Sequence, residues 1–412
     1  VEATVRGEAM ATVVDAELIA GARRILSGVA FPTPLEHSRA LSDLVGGPVY
    51  LKCENLQRTG SFKVRGAYVR MARLTPQERE RGVVAASAGN HAQGVALAAA
   101  SLGISAVVYM PADVALPKLE ATQNYGAEVR LWGSNVDEAL REARAVSRQT
   151  GRVFIHPFDH PDVIAGQGTI GPEILEKVPD VRTVLVPVGG GGLLAGILRG
   201  LERPGEPVRV VGVQAVGAAA YPPSIKAGHP VSLARTSTIA DGIAVGTPGD
   251  VAFGIVREAG AEVRAVSDEQ ISRALLAVME RSKLVVEPSA ATGVAAVLDS
   301  PGDFEPPVVI VLSGGNVDTL ALLGLLRHGL TVAGRFLQFK VRIPDRPGSL
   351  ATLLSHIASA GGNVVRVGHV RTGVELLVGE AEVEAEVETK GQDHRAQVLE
   401  RLALAGYDVR AS

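Results

Sequence analysis

The sequence predicts an α/β fold, with mainly parallel, helix-covered strands followed by a smaller ferredoxin-like unit. Three observations carry this. Short runs that are apolar along their whole length, such as Val49–Cys53 and Val308–Leu312, alternate with stretches of helical periodicity. Strands apolar on both faces belong to parallel sheets covered by helices. Near residue 334 the pattern changes to one-in-two alternation, the mark of a sheet with one wet face.

At 412 residues the chain has room for two or three domains. Its basic residues are scattered and the net charge is −3, so nothing electrostatic favours a nucleic-acid partner. Cys53 stands alone, which excludes a disulfide framework and a thiolate metal cluster. Residues 1–17 alternate in charge and lack the apolar centre of a secretory leader. The uncharged run 92–112 has the length of a membrane span, yet it is rich in Ala, Gly and Ser, is broken at Gly103 and stops at Pro111. It divides into a small-residue helix over 92–102 and a buried strand over 105–110. A soluble, cytoplasmic protein with no membrane partner is expected.

In chain order, residues 14–26 predict a helix, Pro32-Thr33-Pro34-Leu35 an extended lead-in, and Val49–Cys53 a strand. Residues 66–74 carry apolar side chains at helical spacing. Val83–Ala86 is a strand that runs directly into Ser87-Ala88-Gly89-Asn90-His91. Further strands are expected at 127–132, 182–188, 208–214 and Val308–Leu312, and further helices at 136–149, 193–201 and 268–282. In such sheets ligands bind beyond the carboxyl ends of strands, where the turns 87–91, 189–192 and 313–316 fall. From residue 337 a wet-faced strand, a helix after Asp345-Arg346-Pro347-Gly348, strands at Asn363–Val370 and 374–387, a helix at Gln392–Leu404 and a strand at 407–410 give the order βαββαβ. The expected organisation is a first domain over 1–327, with a small subdomain at about 54–150 inserted in it. A linker at 328–335 and a second domain at 336–412 follow.

Four stretches carry possible chemistry. Lys63 lies between Phe62 and Arg65 in a segment bracketed by Gly60 and Gly66. An apolar neighbour and a cation both disfavour an ammonium, so its pKa is expected well below the usual value of about 10.4. A neutral amine there could form a Schiff base with a carbonyl cofactor; alternatively Ser61 caps a helix and Lys63 is a solvated charge. Gly189, Gly190, Gly191 and Gly192 follow a strand and open a helix, where backbone amides and the helix field converge on an anion. A flexible connection is the plainer reading. The pattern from Gly190 to Ala195 also suits a dinucleotide, but the next strand ends in Gln214 where a ribose-binding acid is needed, which favours a monophosphate. Ser87–His91 suits a carboxylate or is an ordinary polar turn, and Ser313-Gly314-Gly315-Asn316 stands equally open. Glu287 either starts a helix or reaches a ligand.

Taken together and in this order, Ser61-Phe62-Lys63, Ser87–His91, the tetraglycine turn and Ser313–Asn316 resemble the fold-type II pyridoxal phosphate enzymes, and within them the threonine dehydratase family. The stretches Thr238–Gly242 and Val286–Ser289 also match, and the likeness covers about residues 15–325. The tail resembles an ACT domain, through Asp345–Leu350 and Gly362-Asn363-Val364. The resemblance implies two open, helix-covered, mainly parallel sheets followed by a ferredoxin-like ACT domain. It implies that Lys63 carries the cofactor and acts as acid and base, that Phe62 packs near it, and that Asn90 bonds its O3′ oxygen. The amides of Gly189, Gly190, Gly191, Gly192 and Leu193 would hold the phosphate and Ser313 would face the pyridine nitrogen. Ser87, Ala88, Gly89, Asn90 and His91 would surround the substrate carboxylate.

The implied reaction is dehydration and deamination of L-threonine to 2-oxobutanoate and ammonia, with L-serine as a secondary substrate. Related serine racemases carry a second serine where this chain has Ala88, which speaks against racemisation. The acids that bind a divalent cation in some members are replaced by Gln214 and Ala220, so no metal is expected. Alternatives are a racemase or β-replacement enzyme, or a catalytically silent amino-acid sensor. For the tail the resemblance implies an effector, isoleucine or valine, near Gly348, Ser349, Leu350 and Asn363. A homodimer or homotetramer is expected.

Overall fold

Among the described residues, ten strands build two sheets in the first part of the chain. The computed structural model describes residues 14–372 and 376–411. Strands β1 (Leu35–His37) and β2 (Val49–Cys53) open the larger sheet. The chain then leaves it for the smaller sheet, made of β3 (Val83–Ala86), β4 (Ala106–Met110), β5 (Glu128–Leu131) and β6 (Val153–Phe154). It returns for β7 (Thr183–Pro187), β8 (Arg209–Ala215), β9 (Glu262–Val266) and β10 (Val308–Leu312). The larger sheet has the order β1-β2-β10-β7-β8-β9 and is parallel except for β1. The smaller has the order β5-β4-β3-β6 and is parallel throughout. Every residue of β3, β4, β7 and β10 is buried, as strands covered on both faces require.

Helix Lys63–Ala72 is held at glycine contacts. A methyl group on Gly66 would sit 2.7 Å from the Val163 carbonyl oxygen, and one on Gly166 would sit 2.6 Å from Gly66 Cα. Backbone therefore meets backbone between this helix and helix Pro161–Gly168. A cluster of buried charges fixes its first turn. Arg65 is 1% exposed; its Nε and Nη2 donate to the two oxygens of Glu54 at 2.8 and 2.9 Å, and Nη1 and Nη2 donate to Glu173 at 2.6 and 3.0 Å. Lys52, also buried, donates to Glu173 at 2.5 Å and to the Thr33 carbonyl at 2.8 Å. Two cations thus meet two anions with no charge left over. The Glu54 carboxyl is held below its ordinary pKa by Arg65, against the pull of burial.

The chain divides between Asp318 and Thr319 into two compact units. In the second unit, β11 (Phe336–Pro344), helix Ser349–Ser359, β12 (Asn363–Val370), β13 (Glu380–Glu388), helix Gln392–Leu404 and β14 (Val409–Ala411) form an antiparallel sheet of order β12-β13-β11-β14. This is the ferredoxin-like arrangement. Its core joins Leu337, Phe339, Val341 and Ile343 to Val383, Val387, Leu353, Ile357, Val398 and Leu402.

Several expectations need correction. Residues 328–335 are no linker: helix Thr319–Val332 runs through the first of them and belongs to the second unit, its Leu-rich, proline-free sequence continuing across Gly324 and Gly329. The helix expected at 66–74 begins at Lys63, and Ser61 does not cap it; Ser61 instead pairs as an isolated bridge with Gly314. The helix expected over 268–282 is α-helical only to Ala277 and ends in a π-turn, Val278–Ser282. Strand β9 escaped notice because it is an edge strand whose residues are mostly half-exposed. The strand read at 374–387 begins at Glu380, and Val374 lies outside the described residues. The run 92–112 is a helix, Asn90–Leu102, and a strand, as read. Among the described residues no helix is long and apolar enough to cross a membrane.

Replacing Arg65 by Met leaves Glu54 and Glu173 without their guanidinium. Urea unfolding of this variant is expected to show a loss of about 3–5 kcal/mol.

Candidate active site

At the carboxyl ends of β3, β7 and β10 lies a cavity of about 920 Å³. Its walls bring together Phe62, Lys63, Ser87, Ala88, Gly89, Asn90, His91, Gly189, Gly190, Gly191, Gly192, Leu193 and Ser313. Sequence separations of more than two hundred residues close into one site because β10 lies between β2 and β7. The Phe62 amide donates to the Ser313 carbonyl at 3.1 Å and the Gly315 amide to the Gly60 carbonyl at 2.8 Å, stitching the lysine segment to the turn after β10.

Lys63 Nζ donates to the Pro157 carbonyl at 2.9 Å and lies 5.1 Å from the centre of the Phe62 ring. Burial pushes its pKa down to about 8, with Glu287 pulling the other way. The shift expected from sequence is present, but one of its assumed causes is not: Arg65 is neutralised in its own ion-pair cluster and plays no part. The Pro157 carbonyl is placed by a turn built on His156, whose Nδ1 accepts from the amides of Phe158 at 3.3 Å and Asp159 at 2.8 Å. Burial holds this imidazole at about 4, so it stays neutral and able to accept. His91 is neutral too, pushed down to about 3 by burial beside Lys63, and its Nε2 donates to the Ile155 carbonyl at 2.9 Å.

The glycine turn lies flat against its surroundings. A Cβ on Gly190 would overlap the Phe158 ring, one on Gly192 the Phe158 carbonyl, and one on Gly191 the Tyr221 hydroxyl. Gly191 also has φ +100, a conformation that side chains resist. The Gly190 carbonyl points away from the cavity, accepting from the Gly249 amide at 3.0 Å and facing the Tyr221 hydroxyl at 3.4 Å. Helix Gly192–Gly200 starts here and aims its amino end at the cavity. Beneath the turn, Asp159 accepts from the amides of Asp250, Val251 and Ala252 at 2.9, 3.0 and 3.1 Å, anchoring a neighbouring helix start.

Glu287 is the residue whose role the sequence left open. It is buried, lines the cavity, and accepts from Asn90 Nδ2 at 2.9 Å on each oxygen. Burial pushes its carboxyl up to about 7 against the pull of that hydrogen bond. Asn316, within a quoted turn but given no role, donates to Asn90 Oδ1 at 2.7 Å. The Lys118–Asp241 ion pair at 2.8 Å was not foreseen: Asp241 lies in the matching stretch Thr238–Gly242, but Lys118, 123 positions earlier, belongs to no local motif. Gln214 spends its amide on backbone: Nε2 donates to the Val188 and Ala218 carbonyls and Oε1 accepts from the Tyr221 amide. The four proposed regulatory residues lie in the second unit. Gly348, at φ +90, precedes the helix that Ser349 begins, Leu350 packs on the core, and Asn363 donates to Glu388 at 3.1 Å.

A half-buried amine with a weakened hold on its proton, in one cavity with a glycine turn that opens a helix, has the chemistry to receive a phosphorylated carbonyl cofactor. The sequence pattern of the pyridoxal-phosphate dependent enzymes matches residues 26–314, and the chain belongs to that family. An L-threonine ammonia-lyase of Thermotoga maritima is 45% identical over 397 residues, covering 96% of this chain and 99% of that protein. The processed form of threonine deaminase isoform 2 from Solanum lycopersicum superposes with a TM-score of 0.72 at 36% identity, over 76% of this chain and 94% of that one. Maize serine racemase gives a TM-score of 0.72 at 33% identity, over 77% and 98%. The cofactor is pyridoxal 5′-phosphate, and the residues present fit it. Besides the lysine and the cradle, the buried Ser289 hydroxyl on the cavity wall has no partner among the described residues.

Gly191→Ala, which meets both the Tyr221 hydroxyl and an unfavourable φ, is expected to weaken cofactor binding about five- to thirtyfold (about 1–2 kcal/mol) in a titration of the cofactor-free protein. A second expectation concerns Lys63, whose folded pKa of about 8 is below its ordinary 10.5. Its charge therefore destabilises the cofactor-free fold below pH 8, and stability returns as pH rises from 8 towards 10.5. Lys63→Met should raise stability by on the order of 2 kcal/mol at pH 7, and the gain should shrink over that window in urea melts taken at pH 7 and 10.

Proposed function

We infer that this enzyme removes water and then ammonia from L-threonine, giving 2-oxobutanoate, with L-serine giving pyruvate as a secondary reaction. The observation that carries the reading is the buried Lys63 amine set beside the Asn90–Glu287 pair and the glycine cradle in one cavity. Identity of 45% to an L-threonine ammonia-lyase along nearly the whole chain supports the substrate.

Lys63 would hold the cofactor, the amides of Gly189 to Leu193 its phosphate, Asn90 its O3′ oxygen and Ser313 its ring nitrogen, with Phe62 packed beside it. When bound, pyridoxal phosphate supplies an electrophilic carbon for the substrate amine and a conjugated sink for the electrons of the Cα–H bond. The amides and side chains of Ser87, Ala88, Gly89, Asn90 and His91 would receive the substrate carboxylate and fix Cα above Lys63. Lys63 Nζ, released by the incoming amine, takes the Cα proton; a pKa of about 8 leaves enough free amine near neutrality for this role. Glu287, at about 7, exchanges a proton with its surroundings in the same pH range. His91 stays neutral and adds no competing charge. The hydroxyl would leave as water with the proton that Lys63 took from Cα, and the enamine product would take water back in solution as it loses ammonia. Ala88 offers no hydroxyl on the cavity wall to return a proton to the opposite face, which favours elimination over the racemisation named for the maize relative.

The second unit is proposed to be an ACT domain that senses an amino acid, isoleucine or valine, near Gly348, Ser349, Leu350 and Asn363. Its βαββαβ order and the exposed edge strand β12 support this, since edge strands pair between subunits. A homodimer or homotetramer in the cytoplasm follows from the same reading.

The test is 2-oxoacid release from L-threonine by the cofactor-loaded protein. Wild type should produce it, and Lys63→Ala should lose at least about 10²–10⁴-fold along with the visible absorbance band. A band without oxoacid would move the assignment to racemisation or β-replacement. Isoleucine or valine should change the apparent substrate affinity by about 5–150-fold; no change in activity or melting temperature with either would remove the sensing role.

A further inference from the structure

Asn316, in the turn after β10, has hydrogen bonds that leave no choice of orientation. The Thr59 carbonyl can only accept, so the atom 2.6 Å from it is the Asn316 amide nitrogen. That nitrogen's second proton goes to Asn90 Oδ1 at 2.7 Å. With Oδ1 taken, Asn90 Nδ2 is turned to the other side, where it meets both oxygens of Glu287 at 2.9 Å. The Asn316 amide on one side, itself set by the Thr59 carbonyl, and the Glu287 carboxyl on the other thus fix the Asn90 amide in one orientation. Asn316 is itself wedged in place. Gly60 has φ +68, and a Cβ there would overlap Asn316 Oδ1, so the lysine segment has closed onto this side chain.

We infer that Asn316 is a positioning residue that locks the Asn90 amide with its N–H side towards the cofactor, so that Asn90 can act on O3′ only as a donor. The inference rests on the role proposed above for Asn90. The two ends of a carboxamide have nearly the same shape, so packing alone does not choose between them; hydrogen bonding does. An N–H facing O3′ stabilises that oxygen as an anion. A carbonyl facing it would favour the protonated oxygen instead. Releasing the lock lets the two orientations compete, and the bound cofactor's visible band reports the result. Without a steady donor, the O3′ anion holds the proton it shares with the Lys63 nitrogen more tightly, and the band titrates at higher pH.

The experiment is a pH titration of the visible band of the cofactor-loaded protein, with Asn316→Ala and Asn90→Ala made singly and together. Asn316→Ser serves as a second variant, since its shorter hydroxyl does not reach Asn90, and far-ultraviolet circular dichroism checks folding. Each Asn316 variant is expected to raise the midpoint by about one to two pH units, the size of a hydrogen bond to a charged group. On the Asn90→Ala background the same changes should add nothing, because the effect passes through Asn90. An unchanged midpoint in the single variants overturns the inference, as does a shift that persists undiminished when Asn90 is already Ala. Either result leaves the elimination reaction standing if wild type still releases oxoacid. A wild-type protein with no visible band would overturn the cofactor reading and this inference with it.

Discussion

The site depends first on a guanidinium with no water around it. Arg65 is buried in the first turn of helix Lys63–Ala72, and a charge in that position must be met by carboxylates or expelled. Glu54, at the end of β2, and Glu173, on helix Ile170–Lys177, meet it from two directions. The requirement is geometric as well as electrostatic, because a planar fork accepts its partners only in its own plane. Helix Lys63–Ala72 therefore has a fixed rotation and a fixed height relative to the larger sheet. Lys63, two residues earlier, inherits that placement and carries its amine into the cavity.

Around this anchor the cavity is lined by turns and by the first residues of helices, and the turns hold one another. The amides of Phe62 and Gly315 cross between the lysine segment and the turn after β10, while Asn316 joins both to Asn90. His156 shapes the turn that supplies the Pro157 carbonyl to Lys63 and the Phe158 ring to the glycines. The electrostatic character follows from burial. Lys63 is lowered and Glu287 raised until their pKa values lie about one unit apart, near neutrality, while both cavity imidazoles are held neutral. A proton donor and a proton acceptor therefore lie in one cavity with pKa values shifted towards the same range.

Much of this was legible in the sequence, for identifiable reasons. Strands such as Val308–Leu312 are apolar throughout because they are covered on both faces, and that pattern is local. The glycine turn and the lysine segment were legible because each is a contiguous string of unusual residues. What escaped was non-local. Glu287 could not be told from a helix-start acid, because its meaning comes from Asn90, far away in the chain. Asn316 looked like a turn residue, and Arg65 was credited with lowering the Lys63 pKa because its carboxylate partners are remote in sequence. The Leu-rich helix Thr319–Val332 carries leucines that stay exposed or half-buried in its own unit, so its spacing marks no buried face. Edge strand β9 was missed because exposure dilutes the apolar signal.

The place of β10 has a consequence for how the molecule is made. It lies in the middle of the larger sheet, between β2 and β7, yet it is the last strand of that sheet to leave the ribosome. Until it emerges, β2 and β7 are two open edges with no partner between them, and the turn bearing Ser313 and Asn316 does not yet exist. The smaller sheet, whose strands are contiguous in the chain, can close during synthesis, but the larger one waits for its centre. A nascent chain stopped short of Val308 would expose the apolar edges of its main sheet and have no finished cavity. Completion of the core and of the cavity are therefore one late event, and the apolar edges of β2 and β7 stay open while the segment between β9 and β10 is translated.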